Sequence, residues 1–213
     1  MSRTIKVDLF TDVVCPWCLV GSARLDQAIA ALPEDVRVDV ENRPFYLDPN
    51  TPDDGYDVGG MLKERYGREP QEMWARVEGE AAKSGIVLDL SKQPRTFPTQ
   101  KAHTLVRIAR IKGTQHALAN AIADAYFLEH RQVNEPEVLA DIASRHGFTR
   151  PEALAYLGDG LQIATTHEQA IWAQQQGIQG VPFFIFDGKF AMSGCQPQDV
   201  FELAFAKVLE QPA

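Results

Sequence analysis

The opening of this chain constrains its fold more than any other stretch. Two strand patterns flank a helix pattern, and two cysteines stand at the first junction. Ile5 to Phe10 alternates, with Ile5, Val7 and Leu9 sharing a face, as a half-buried strand does. "TDVV" then leads to Cys15-Pro16-Trp17-Cys18, where a helical pattern begins. Proline suits the first helical position, because its missing N–H would lack an intrahelical partner there in any case. Leu25, Ala28, Ile29 and Leu32 recur at helical spacing, and Pro33 stops the helix. Val36 to Asn42 alternates again through Val36, Val38 and Val40. The reading is β–α–β, with the cysteines at the turn from the first strand into the helix.

The next stretch, "PFYLDPNTPDDGYDVGG", is loop-rich, and its acidic residues from Asp48 to Asp57 read as solvated surface. Helical patterns then dominate. The expected helices are Gly60 to Gly85, Gln100 to Lys112, Gln115 to His130, Pro136 to His146 and Pro151 to Leu157. Thr149 can cap the last of these, with Glu152 in its first turn. No strand signal, repeat or low-complexity tract interrupts them. A further helix, Leu161 to Gln176, ends at Gly177. The runs Phe183 to Phe186 and Lys189 to Ser193 then flank Asp187-Gly188, a dipeptide favoured in type I′ hairpin turns. Pro182 stands at the first position of its strand, where a missing N–H does least harm. A last helix, Pro197 to Leu209, carries Val200, Leu203, Ala204, Lys207 and Val208 along one side. The expected fold class is α/β. Residues 1–55 and 161–213 form one discontinuous α/β layer domain, and residues 56–160 are a large helical insertion.

A C-x-x-C can be a redox dithiol, half of a zinc site, or two inert buried thiols. A structural zinc needs about four ligands. This chain has 3 cysteines, no second C-x-x-C and no closely spaced histidine pair. His103, His116, His130, His146 and His167 are scattered along helix patterns and read as surface or helix-packing residues. No metal is expected. Inert thiols fit poorly, since the cysteines fall at a strand–helix junction and off any packing stripe. The redox reading suits the position, because unpaired N–H groups and the positive end of a helix stabilise a thiolate. Cys15 is therefore the expected nucleophile. Cys18, one turn deeper on the same face, is the expected resolving thiol for a mixed disulfide. The carboxyl end of a strand is also where open α/β sheets place their sites. Asp12 would oppose the thiolate by like charge if turned inward, and is expected to face solvent.

Composition narrows the setting. With 45% apolar and 23% charged residues in 213, the chain reads as soluble and globular. A formal charge of −8 argues against nucleic-acid or anionic-membrane partners, which need a basic footprint. No apolar run approaches the ~20 residues that span a bilayer. "MSRTIKVDLF" alternates instead of forming the apolar core of a signal peptide, so a cytoplasmic protein is expected. Three cysteines there do not suggest a disulfide framework.

"VCPWC" after the first strand, together with "GIQGVPFFIFDGKFAMSGCQP" near the end, resembles the thioredoxin-fold family of DsbA-like oxidoreductases. Within that family the match is to the cytosolic FrnE-type branch, which is related to 2-hydroxychromene-2-carboxylate isomerases and kappa-class glutathione transferases. The resemblance takes in nearly the whole chain, including "RPFYLDP" and "NEPEVL". It implies a thioredoxin fold and a cis Val181-Pro182 bond packed against the dithiol. The Val181 backbone would then pair with a substrate segment as an added strand. The implied activity is disulfide exchange with protein or small-thiol substrates. The isomerases and kappa transferases usually carry serine where Cys15 stands, using it to hold glutathione's thiolate. A glutathione-dependent isomerase or transferase is thus the alternative reading, and a redox-inert, chaperone-like binding module the second. No cofactor is expected, with glutathione a candidate co-substrate and a homodimer compatible with the chain.

Other residues carry weaker signals. Pro16 and Trp17 are expected to contact substrate, Trp17 as a partly exposed apolar surface. Cys195 follows a hairpin that returns to where it began, so a regulatory or second resolving thiol beside the dithiol is one reading. The plainer one is a small residue entering the last helix. Phe183 and Met192 read as core. Tyr46, Trp74 and Phe97 either line a groove between the two parts or pack in the interior.

Overall fold

The structure, a computed structural model, describes residues 3–210. Its main sheet has strands β1 (Arg3–Thr11), β2 (Val36–Pro44), β5 (Phe183–Phe186) and β6 (Phe190–Ser193) in the order β2-β1-β5-β6. Strand β1 is parallel to β2 and antiparallel to β5, and β5 is antiparallel to β6. Asp187 and Gly188 carry φ of 49° and 66°, the paired left-handed residues that a type I′ turn requires. Helix α1 (Pro16–Ala30) joins β1 to β2, α8 (Gly160–Gln175) precedes β5, and α9 (Gln198–Leu209) follows β6. Between β2 and α8 lie α2 (Val58–Tyr66), α3 (Pro70–Lys83), α4 (Gln100–Ile108), α5 (Gln115–Phe127), α6 (Pro136–Ala143) and α7 (Arg150–Gly158). This is a thioredoxin fold with a large helical insertion.

Three cores hold it together, and the first turn of α1 lies among them. Ile5, Val7 and Leu9 are fully buried with Leu25 and Ala28 of α1 and Phe201, Phe205 and Val208 of α9. Phe10 points to the opposite face of the sheet and packs with Phe45, Ala173 of α8 and Ile178. The helical core is built on Leu105, Leu118, Ile122 and Leu139, and it takes in Val13, Leu19 and Val20, the neighbours of the two cysteines. Burying one such side chain is worth about 1.5–3 kcal/mol, so these contacts anchor the cysteine-bearing turn to the insertion as well as to the sheet.

Several expected elements differ in detail. The single helix expected from Gly60 to Gly85 is two, α2 and α3. Gly67 ends α2 in the left-handed conformation (φ 63°), and Pro70 opens α3 at its first turn. The stretch with no strand signal contains a short antiparallel pair, β3 (Tyr56–Asp57) with β4 (Arg95–Thr96). Two residues are too few to show alternation. Helix α9 is rotated from the expected stripe. It buries Phe201, Ala204, Phe205 and Val208 and leaves Leu203 65% exposed. The rotation seats Phe201 and Phe205 edge-on against Phe184 and Phe186, at 5.0 and 5.3 Å between ring centroids. Those aromatic contacts outweigh the burial of one leucine. Thr149 and Glu152 form the expected capping box of α7.

Candidate active site

Cys15 is the N-cap residue of α1, with extended backbone (φ −94°, ψ 112°), and Pro16 occupies the first turn. The carbonyl of Cys15 accepts the N–H groups of Cys18 and Leu19, which bends the chain from strand to helix within four residues. Cys15 and Cys18 are free thiols 3.1 Å apart. Both are buried, at 4% and 3% exposure, yet their surroundings differ. Cys15 lines a cleft of about 320 Å³ running from Trp17 toward the insertion, and Cys18 does not. Burial pushes the Cys18 thiol well above its ordinary value, and its hydrogen bond and charge interaction with Cys15 push it further. The thiol next to the cleft is thus Cys15, and the thiol held protonated behind it is Cys18.

The hairpin element meets this turn directly. Val181-Pro182 is cis. The Cys15 thiol donates to the Val181 carbonyl at 3.8 Å, and Gly194 N–H donates to the Pro182 carbonyl at 2.8 Å, tying the end of the hairpin back to its start. Helix α1 approaches this loop at Gly21, where a Cβ would lie 2.9 Å from Pro182 Cγ and 3.3 Å from Phe184 Cζ. Only glycine permits that approach without displacing a rigid ring. A glycine inside a helical pattern was the available signal, and nothing in its spacing named Pro182 as the neighbour. Trp17 is half-buried, and the Arg76 guanidinium sits 5.6 Å from its ring centroid. Pro16 and Val181 also line the cleft.

Asp12 does not face solvent, contrary to expectation. It is 2% exposed, with one carboxylate oxygen 3.2 Å from His103 Nε2 and the other accepting Leu47 N–H at 2.9 Å. A buried carboxylate needs such partners, and they come from α4 and the loop after β2. His103 packs within a helix as expected, but as a polar partner. Tyr46 belongs to the same interior: its ring stacks on His167 at 5.9 Å and tilts against His103 at 5.6 Å. Burial, and then the Asp12 charge, raise its hydroxyl well above the ordinary value. Trp74 and Phe97 line the cleft, whereas Tyr46 does not. Asp48, in the loop read as solvated, also lines the cleft, while Asp53, Asp54 and Asp57 are exposed. Met192 is buried and Phe183 half-buried, both within the apolar cores.

Cys195 belongs to a second cluster. Arg24, 4% exposed, donates to Cys195 Sγ at 3.4 Å, to the Gln196 carbonyl at 2.8 Å, to Ser84 Oγ at 3.0 Å and to Glu80 Oε2 at 2.6 Å. Burial pushes the Cys195 thiol up to about 11, with Arg24 pulling against it and Glu80 adding to the rise. Arg24 and then Lys83 hold the Glu80 carboxyl down at about 2. Of the three thiols, only Cys15 and Cys18 lie near each other. Among the described residues, no group of three or more His, Cys, Asp or Glu side chains is placed to hold a metal ion, and no helix is long and apolar enough to cross a membrane.

A four-stranded thioredoxin sheet, a C-x-x-C at the N-terminus of its first helix and a cis proline against it define a protein of the thioredoxin class. Residues 6–206 match the DSBA-like thioredoxin domain, and the chain belongs to that family. It is similar to a probable DsbA oxidoreductase from Streptomyces coelicolor, at 31% identity and a TM-score of 0.87, over 98% of this chain and 92% of that one. The fold is shared with a 2-hydroxychromene-2-carboxylate isomerase (16% identity, TM-score 0.74, 97% of each chain). It is also shared with the cytosolic disulfide reductase DsbM from Pseudomonas aeruginosa with GSH (16% identity, TM-score 0.67, 97% of this chain and 100% of that one). The resemblance seen in "VCPWC" and "GVPFF" thus holds across the chain, and it sets the protein in the DsbA-like thioredoxin family.

Proposed function

We propose that the protein is a thiol–disulfide oxidoreductase working through Cys15-Pro16-Trp17-Cys18 on protein or small-thiol disulfides. The observation that carries this is the asymmetry of the thiol pair: 3.1 Å apart, with Cys15 beside the cleft and Cys18 held protonated behind it. The Cys15 sulfur attacks a substrate disulfide, one substrate thiolate leaves, and a mixed disulfide remains. Cys18 gives up its proton to solvent and attacks Cys15 Sγ, releasing the second thiol and leaving a Cys15–Cys18 disulfide. Two electrons pass from protein to substrate, and the reverse sequence oxidises a dithiol. A substrate segment lies beside Val181-Pro182 and pairs with the Val181 backbone, with Pro16 and Trp17 against its side chains. The dithiol itself carries the electrons, so no metal or organic cofactor enters. Glutathione restores the reduced pair in a reducing cytoplasm, a role that fits the solved DsbM with GSH. Cys195 packs against Arg24 and takes no part in exchange.

Reduction of insulin or of bis(2-hydroxyethyl) disulfide tests this reading. The wild type is expected to turn over and Cys15→Ser to fall to background. Absence of exchange in the wild type would overturn it in favour of a redox-inert binding module. Glutathione-dependent isomerisation without disulfide exchange would overturn it in favour of the isomerase reading.

A further inference from the structure

Strand β2 is one edge of the main sheet, so every second residue turns its backbone groups away from β1. Asn42 shows which ones. Its N–H donates to Gln115 Oε1 at 3.2 Å, and its carbonyl accepts Gln115 Nε2 at 3.1 Å. By alternation, Val36, Val38 and Val40 face outward as well. The Val36 N–H donates to the Pro33 carbonyl at 2.9 Å, and the Val40 carbonyl accepts Arg110 Nη1 at 3.3 Å. Between these lie the Val36 carbonyl, both groups of Val38 and the Val40 N–H. Among the described residues no partner meets them. The valine side chains are only half-buried and pack with Ile29 and Leu32 at the margin of the sheet core. On the opposite face Arg37 is exposed, with no ion-pair partner among the described residues. Asp39, its side chain 43% exposed, is held by Arg110 at 2.6 Å.

This open row is complementary to itself. We propose that β2 pairs with β2 of a second copy of this chain, antiparallel and centred on Val38, to form a two-fold dimer. The Val38 N–H of each copy donates to the partner's Val38 carbonyl, and each Val40 N–H donates to the partner's Val36 carbonyl. The groups left facing each other, the Val36 N–H and the Val40 carbonyl, are those already bonded within the chain. In the same register Arg37 stands opposite the partner's Asp39, at a position where Cα atoms lie about 4.5 Å apart and side chains meet. The two-fold axis makes that pair twice. The Asp39 carboxylate has room for both guanidinium groups, since its oxygens accept about four hydrogen bonds. Sliding one strand by two residues either way sets Arg37 against the partner's Arg37, or Asp39 against the partner's Asp39. Like charges directly opposite are destabilising, so charge fixes the register. Val38 lies beside Ile5 near the start of β1, whereas Cys15 follows the far end of that strand. The pairing therefore leaves the clefts open and turns the two thiol pairs toward opposite ends of the dimer.

Sedimentation velocity of the full chain in reductant, over a dilution series, tests the pairing. A dimer is expected at about 100 μM, dissociating on dilution as a small contact does. Arg37→Glu alters only an exposed side chain and sets like charges opposite each other, so it should weaken the dimer at least about tenfold. Val38→Pro removes an outward N–H that the β1 ladder does not use, and should weaken the dimer at least about a hundredfold. The register is read by cysteine pairing in a background of Cys15→Ser, Cys18→Ser and Cys195→Ser. Val38→Cys should link two copies on mild oxidation, because Cα atoms in a hydrogen-bonded pair lie about 5.5 Å apart, within disulfide reach. Val36→Cys should not, since the same register carries its two copies well beyond that reach. A monomer throughout the series would overturn the proposal, as would a dimer that both Arg37→Glu and Val38→Pro leave intact. A link through Val36→Cys without one through Val38→Cys would overturn the register.

Discussion

Cys18 and Cys195 are both thiols raised by burial, yet one is paired with a second thiol and the other with a guanidinium. Cys18 has a second thiol 3.1 Å away at a helix N-terminus, and that thiol lines a cleft. Cys195 has a guanidinium 3.4 Å away, the kind of neighbour that lowers a thiol's pKa. The Arg24 charge is already committed to Glu80 at 2.6 Å, however, and the Glu80 carboxylate pushes the Cys195 thiol back up. A thiol at about 11 is only about one part in a thousand thiolate at pH 8. What activates a cysteine is thus a net local field and an open approach, and a single cationic neighbour does not supply both.

The widest separation between the two regions is expected in activity. Cys15→Ser should cut disulfide exchange at least about a thousandfold, while Cys195→Ser should change it by less than about twofold. Stopped-flow reduction of a model disulfide reads both variants. A large loss in Cys195→Ser would dissolve the distinction. Stability should show the converse weighting. Arg24→Ala strips one of the two cationic partners from Glu80 and leaves Ser84, Cys195 and the Gln196 carbonyl without the Arg24 donors, at a cost of about 3 kcal/mol in urea unfolding. Gly21→Ala should cost about 1–3 kcal/mol by driving a methyl group into the Pro182 ring, and should slow exchange as well because the Val181 carbonyl bonded to that ring's nitrogen meets the Cys15 thiol. Loss of stability without loss of rate would mean that the Pro182 loop tolerates displacement.

The smallest expected effect is pH-dependent. The folded-state value of Glu80, about 2, lies below its ordinary 4.5. Its contribution to stability is therefore full above about pH 4.5 and is lost as the pH falls toward 2. In Glu80→Gln, the difference in unfolding midpoint from wild type should shrink across that window and stay constant above it. A difference that persists unchanged at pH 2 would show that the Arg24 cluster draws nothing from the Glu80 charge.

Much of this was legible along the chain, because local periodicity reports which face of an element is buried. The β–α–β opening, the Asp187-Gly188 hairpin, the Thr149 cap and the placement of Cys15 and Cys18 at a helix N-terminus all follow from residues within one element of each other. Local pattern failed wherever two partners were remote. Asp12 meets His103 across 91 residues, Arg24 meets Cys195 across 171, and Gly21 meets Pro182 through a close approach that no spacing encodes. Helix α9 shows the same limit in reverse. The stripe expected through Val200 and Leu203 overlaps the buried one through Phe201 and Phe205, and only the rings of Phe184 and Phe186 decided between them.

The amino-acid sequence by itself determined the address of the thiol pair, since a C-x-x-C entering a helix after a buried strand needs only local geometry to bring its two sulfurs together. The tertiary structure decided which thiol lines a cleft, what that cleft is made of and which charges surround the third cysteine. Those properties depend on side chains converging from α1, α3, α5 and the hairpin, and burial and electrostatic neighbourhood are set by that convergence.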